Sequence, residues 1–570
     1  MSSETHAKLG TVTVVVTEKR DLSDKLGDSH VNLLPRKQVL IVLLAVSLGL
    51  FISFADQTGV TVAMSQIGKD LNAQTTINWA GTSSLLANTI CQVLFGRLSD
   101  IYGRKSVLLT CIGILAISDL ACGFAQTGVQ FFIFRAFAGI GNGGVSSLSM
   151  VILSDVVTLK QRGKYQGILG ASVGVGNAIG PFIMSAFAKS SSWRSFYYTL
   201  TPIVVLVGIS IYFLVPGTSD SDRVLSSSEK LKTIDYWGIL SSSSSLTLLL
   251  VAISGGGTSY SWNSPLIISM FSIGGVLFAT FLIIEWKVSK LPMIPLRLFK
   301  NPSLCLILAS NFFFGMTYYS VLFYIPYYFQ IIRQNSEIES SVFILPLVLC
   351  QALFSTVSGN IVTYTGHYIF VVLAGYSIWL LSCGLLIIWN VNTNYGVNVI
   401  VLLLMGIGVG STFQPTMVAA QAQSKKADRA VVISTRNVIR SFGGAVGIAI
   451  SSTVISNTMY AKIEQGLVNP ELIANISKEY LYYMKDHIYN QIEVDKLTPT
   501  QVEIIKSMYM NSMRNYFYLL SPFIGLCLIS SFFVKDRGLQ CIDEINIGGR
   551  KNVESGISTS TSRTSAMSSV

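Results

Sequence analysis

Gly96-Arg97-Leu98-Ser99-Asp100-Ile101-Tyr102-Gly103-Arg104-Lys105 is a charge-dense stretch holding two glycines seven residues apart. One apolar run ends near Phe95, just before it, and another begins near Ser106. The stretch is too short for a domain and too charged for hydrocarbon. It reads as a tight cytoplasmic loop joining two membrane helices.

The rest of the chain fits that reading. Across 570 residues only 12% are charged, and the mean hydropathy is +0.56, which excludes an ordinary soluble protein. Apolar runs of about 20 residues recur, each long enough to cross ~30 Å of hydrocarbon as a helix. The period-2 alternation of a membrane β-barrel is missing. The net charge of +11 lies in short inter-helix segments rather than on one face, so nucleic acid is not expected as a partner. No CxxC, His/Cys cluster or GxxxxGK[ST] occurs, so neither a metal, nor a cofactor, nor ATP-driven pumping is expected. The polar first 35 or so residues lack the apolar core of a cleavable signal, and the first span is expected to act as its own anchor.

Apolar windows predict fourteen spans, at 38–62, 77–95, 106–124, 129–151, 165–187, 197–215, 236–254, 264–285, 303–325, 340–362, 368–389, 396–418, 430–457 and 516–534. An even number puts both tails on one side. That side carries 27 Lys and Arg and the other carries 10, six of them in the long segment 458–515. Both termini are therefore expected in the cytosol. The 458–515 segment is expected outside, as short helices on the membrane surface, with a glycosylation sequon at Asn475. The tails 1–37 and 535–570 are expected to be disordered.

The chain also repeats itself. Gly96 and Gly103 are echoed by Gly359 and Gly366, at an offset of 263. Gly139, Gly141 and Gly143 are echoed by Gly406, Gly408 and Gly410, at an offset of 267. These echoes predict an all-α polytopic membrane protein with an N-terminal six-helix bundle at 38–215 and a C-terminal one at 303–534. Spans 7 and 8 are then an insertion within 216–302. Parallel repeats of this kind are a transporter signature, with the solute between the halves.

The Gly96–Lys105 stretch resembles the signature loop of the major facilitator superfamily. Three further patterns are similar to its fourteen-span drug:proton antiporter branch, fungal type, which includes multidrug exporters and vacuolar basic amino acid transporters. Span one has Asp56-Gln57-Thr58, followed by Ser65 where the branch usually has proline. Span four has Arg135-Ala136-Phe137-Ala138-Gly139-Ile140-Gly141, with Ala138 replacing a glutamine. Span five has Gly167, Gly176, Gly180 and Pro181 at the antiporter-motif spacing, with Met184 and Ser185 replacing the closing glycine pair.

The residues carry their own physics. A carboxylate in lipid costs about 2.5–3.5 kcal/mol on insertion scales, so Asp56 should face a cavity and exchange a proton there or meet a cationic solute. Arg135 cannot lose its proton and needs a partner inside the bundle. For this arginine the resemblance implies proton coupling. Asp100 among Arg97, Arg104 and Lys105 predicts a charge cluster that gates the cytoplasmic mouth, with Gly96 and Gly103 at its bends. The span-five glycines are expected on one side of their helix, making with Pro181 a close-packed hinge. Asn177, Asn311, Gln351 and Gln414 are candidate cavity groups, together with Asn88, Asp119, Arg436 and Arg440.

The expected function is a proton-coupled antiporter, working as a monomer in the lipid bilayer. It would move a small organic solute, cationic or amphipathic, out of the cytosol in exchange for protons, as in multidrug efflux from the plasma membrane. Basic amino acid import into a vacuole is the alternative, and Asn32-Leu33-Leu34-Pro35 resembles a dileucine sorting signal. A non-transporting nutrient sensor is the alternative of another class. No enzymatic activity is expected.

Overall fold

A computed structural model describes residues 34–539, except 74–75, 78, 216–231, 233, 257–259, 290–291, 426–427, 474–475, 487 and 489–496. The sequon at Asn475, Asn32 and Leu33 of the dileucine-like motif, and the two tails apart from 34–37 and 535–539 lie outside the described residues. With no water to bond to in the bilayer core, a spanning backbone must satisfy itself, and among the described residues the spans are all helices.

The first bundle comprises α1 (Arg36–Asp70), α2 (Trp79–Tyr102), α3 (Arg104–Phe124), α4 (Gly128–Val156), α5 (Leu159–Ser190) and α6 (Trp193–Leu214). The inserted pair is α7 (Tyr236–Gly255) and α8 (Pro265–Lys287). The second bundle comprises α9 (Pro302–Tyr327, continued by a π-helical turn over Tyr328–Ile332), α10 (Glu337–Thr365), α11 (Ile369–Leu386), α12 (Tyr395–Ala422), α13 (Arg429–Val468) and α15 (Pro499–Phe532). The short α14 (Lys478–Asp486) lies between the last two.

Thirteen described helices are long and apolar enough to span a membrane. The fourteenth, α2, is long enough at about 36 Å, but it buries the polar Ser84, Asn88, Thr89 and Gln92 instead of facing lipid. Its polarity is that of a helix packed inside the protein.

The repeat read from the sequence is reproduced contact by contact. A Cβ on Gly139 would strike the Ser84 carbonyl and one on Gly143 the Asn88 carbonyl, both on α2. Their echoes Gly406 and Gly410 lie against the carbonyls of Leu347 and Gln351 on α10. In the same way Gly176 and Gly180 of α5 meet Phe51 and Ala55 of α1, as Gly443 and Gly447 of α13 meet Phe312 and Met316 of α9. Gly103 and Gly366 both have positive φ, at 91° and 74°, and each ends its helix in a conformation that suits glycine. The seam between the bundles follows the same symmetry, with α2 packed on α13 and α10 packed on α5.

Short contacts fix which ends share a face. Leu34 N–H bonds to the Val156 carbonyl, Lys164 N–H to Thr363, and Ile369 N–H to Asp536. Both ends of the described chain therefore lie on one side, the terminal face.

Two local expectations change. The Gly96–Lys105 stretch is helical except at Gly103, because its charges are neutralised by neighbours rather than by water. At the opposite face α13 and α15 run well into 458–515, beyond the spans expected at 430–457 and 516–534. Ile476, Leu481, Met484 and Ile488 are buried in the second bundle's core, and Tyr327 and Tyr509 both donate to the Ile488 carbonyl.

Candidate functional site

Asp56 of α1 and Arg135 of α4 meet at the centre of the first bundle. The Arg135 Nη1 donates to Asp56 Oδ1 at 2.6 Å, and neither side chain is exposed. Asn142, two turns further along α4, donates to the second oxygen at 2.9 Å and accepts from Ser53 at 2.6 Å. The antiporter-motif glycines set this geometry from the other side of α1. Gly176 and Gly180 let α5 touch the carbonyls of Phe51 and Ala55, in the turn and a half of α1 that leads up to Asp56. Leaving such a guanidinium with no carboxylate near it at all would cost about 3–5 kcal/mol.

A second carboxylate belongs to the same site. Asp119 of α3 is fully buried, and neither of its oxygens has a hydrogen-bond partner among the described residues. Asp56, Arg135 and Cys122 all lie near enough to act on its charge or be acted on by it. Tyr197 on α6, whose buried hydroxyl has no partner among the described residues, lies near the same group. One guanidinium is therefore paired with Asp56 and lies near a second carboxyl group, unbonded to it, in a space closed to solvent.

The charged stretch at the terminal face is also buried. Asp100 accepts from Arg104 at 2.6 Å and from Arg97 at 3.2 Å. Arg104 continues to Asp155 at 2.9 Å and Ser99 at 2.6 Å, and Arg97 donates to the Pro292 carbonyl beyond α8 at 2.7 Å. Lys105 turns away, with its ammonium 5.0 Å from the Tyr212 ring centroid. These pairs tie α2, α3, α4 and the segment after α8 together.

Other groups cross between the bundles near that face. Ser147 bonds to Ser434 at 2.8 Å, Arg162 donates to Gln421 at 2.9 Å, and Ser355 and Thr356 share the Gly167 carbonyl. A Cβ on Gly96 would strike Ser434, and one on Gly359 the Gly163 carbonyl. The span-five glycines divide between two faces. Gly163, Gly167, Gly170 and Gly174 face the second bundle, while Gly176 and Gly180 face α1. The expectation of a single face is corrected by helical geometry. Residues 167 and 176 are nine apart, which at about 100° per residue puts them on opposite sides.

The candidate cavity groups occupy the seam. Gln351 accepts from Tyr318 at 2.9 Å, and Asn177 faces the same hydroxyl. Gln414 is fully buried with both amide atoms unpartnered, and it lies against Gly170. Asn311 spends its amide N–H on Ile307 at 2.7 Å within its own helix. Asn142, Asp155, Ser434 and Gln421 went unmarked in the sequence, because each acts through a partner on another helix.

Comparison with known proteins agrees with this architecture. The Major Facilitator Superfamily profile matches residues 46–448. The chain belongs to the major facilitator superfamily. It is 44% identical over 509 residues to Citrate exporter 1 of Yarrowia lipolytica, covering 89% of this chain and 74% of that one. It is 32% identical over 510 residues to the MFS-type transporter clz4 of Cochliobolus lunatus, covering 89% and 88%. It is 31% identical over 425 residues to the efflux pump dotC of Dothistroma septosporum, covering 75% and 73%. Among solved structures, the human organic anion transporter MFSD10 (TETRAN) has the same fold, with a TM-score of 0.57 at 14% identity, covering 88% of this chain and 100% of that one. The family makes the chain a multi-pass membrane transporter, and its named fungal relatives include exporters and efflux pumps.

Proposed function

We propose that this transporter exchanges protons for a small organic solute and so carries the solute out of the cytosol. The observation that carries the reading is the solvent-free Asp56–Arg135 pair with Asp119 beside it. A proton reaching this group changes a charge where charge is expensive, so protonation can shift the balance between two packings of the bundle. The glycine-lined seams α2–α13 and α5–α10 are the surfaces that would part, as one bundle rocks against the other.

The Lys and Arg bias supports a cytosolic terminal face. The state described is then closed to the cytosol, with the Arg97–Asp100–Arg104–Asp155 cluster bracing the closed end of the first bundle. The solute's sign of charge has two readings. The resemblance to drug:proton antiporters favours a cationic or amphipathic solute, whereas the name of the 44%-identical relative points to a carboxylate anion. The test is uptake into vesicles carrying an imposed pH gradient, with citrate, lysine and tetraphenylphosphonium as probes. If a protonophore leaves the movement of every probe unchanged, the coupling is absent.

A further inference from the structure

The second bundle holds two buried arginines that make no ion pair among the described residues. Arg436 and Arg440 lie one turn apart on α13 and are both buried. Between positions 302 and 336, 340 and 427, 429 and 463, and 504 and 535, the sequence has no Asp or Glu. Those four stretches contain almost the whole of α9 to α13 and α15. Two guanidinium groups at this spacing repel each other, and the low dielectric of the bundle strengthens the repulsion.

Their hydrogen bonds differ. Arg436 is held through Nη2 to the Phe413 carbonyl at 2.6 Å and to Thr416 at 2.8 Å. Arg440 stacks over the Phe413 ring, 4.6 Å from its centroid, and its Nε and Nη1 have no partner among the described residues. Tyr318 is near enough to feel the Arg440 charge, and it receives Asn177 from the first bundle. Arg440 thus lies close to the place where Asn177 of the first bundle meets Tyr318 of the second, and a transported solute must pass between the two halves.

Building on the exporter reading, we propose that Arg436 and Arg440 form the docking site for the solute, and that the solute is an organic di- or tricarboxylate. A guanidinium matches a carboxylate through two parallel N–H···O bonds, and Arg440 has donors free for that purpose. The bound anion supplies the counter-charge that the bundle lacks. Tyr318 and the amide of Gln414 then discriminate among its remaining polar groups. Asp56, Asp119 and Arg135 keep a separate charge balance in the first bundle, so solute and proton occupy different sites.

The test is equilibrium binding of radiolabelled tricarballylate to the purified full-length protein at uniform pH. The expected result is saturable binding displaced by succinate and unaffected by lysine or tetraphenylphosphonium. Arg440→Gln should weaken binding at least tenfold. Arg440→Lys, which keeps the charge but loses the fork, should weaken it at least threefold and carries the test if the glutamine variant does not fold. Binding within twofold of wild type in the folded variants, or displacement by the cations alone, overturns the proposal. Gradient-driven transport is measured in parallel. Tricarballylate binding without gradient-driven movement of any solute overturns the exporter reading and leaves the site standing. Movement of a cation without tricarballylate binding does the reverse.

Discussion

Arg135 donates to Asp56 across 2.6 Å where neither side chain is reached by solvent. Asp119 shares that guanidinium's field, so Asp56→Asn leaves Arg135 a second carboxylate to balance it. The single variant should fold with a small loss of stability. Asp56→Asn combined with Asp119→Asn strands a buried guanidinium, and the double variant should lose about 3–5 kcal/mol, well beyond the sum of the singles. Thermal unfolding in detergent checks this, and additive losses would mean that Asp119 plays no part in the charge balance.

Gly359 and Gly163 set how closely α10 and α5 approach near the terminal face. Gly359→Val should keep that seam from closing. A cysteine introduced at the fully buried Ser434 would then react several-fold faster with a membrane-impermeant thiol reagent applied to the terminal side. An unchanged labelling rate would show that this face opens without parting the seam.

Among the described residues Asp100 is partner to both Arg97 and Arg104, whereas Asp155 is paired with Arg104 alone. Asp100→Asn should therefore cost more than Asp155→Asn, of the order of 3 kcal/mol against about half that. Transport rates should fall in the same order. Equal effects in thermal unfolding and transport would contradict the division of charge within the cluster.

Gly366 has a φ of 74° and open space where a Cβ would point, so substitution there meets backbone strain alone. Gly366→Ala should cost about 1–2 kcal/mol, and Gly366→Asn less, because asparagine tolerates the left-handed region better. Melting temperatures of the two variants decide it.

Much of this was legible in the sequence because lipid forces long apolar runs and the repeat left its glycines in register. The offsets of 263 and 267 are the ones that recur between the contacts of Gly139 with Ser84 and Gly406 with Leu347. Asp56 and Arg135 stood out because charge inside a span demands a partner. The helical course of Gly96–Lys105 was hidden, since a charged stretch is judged by its own residues while Asp155 pairs with Arg104 and the Pro292 carbonyl accepts from Arg97, both from elsewhere in the chain. The two faces of α5 were hidden by reading glycines as a row, when 176 lies half a turn out of phase with 167. The isolation of Arg436 and Arg440 is written in the sequence as missing carboxylates, but it gains meaning only when the bundle is assembled.

The most direct measurement is solute movement in proteoliposomes with an imposed pH gradient, comparing wild type with Asp56→Asn. Wild type is expected to accumulate tricarballylate only while the gradient lasts, and a protonophore should abolish accumulation. Asp56→Asn is expected to exchange labelled for unlabelled solute yet accumulate none. Gradient-driven accumulation by Asp56→Asn at the wild-type level would contradict proton coupling through the Asp56–Arg135 pair.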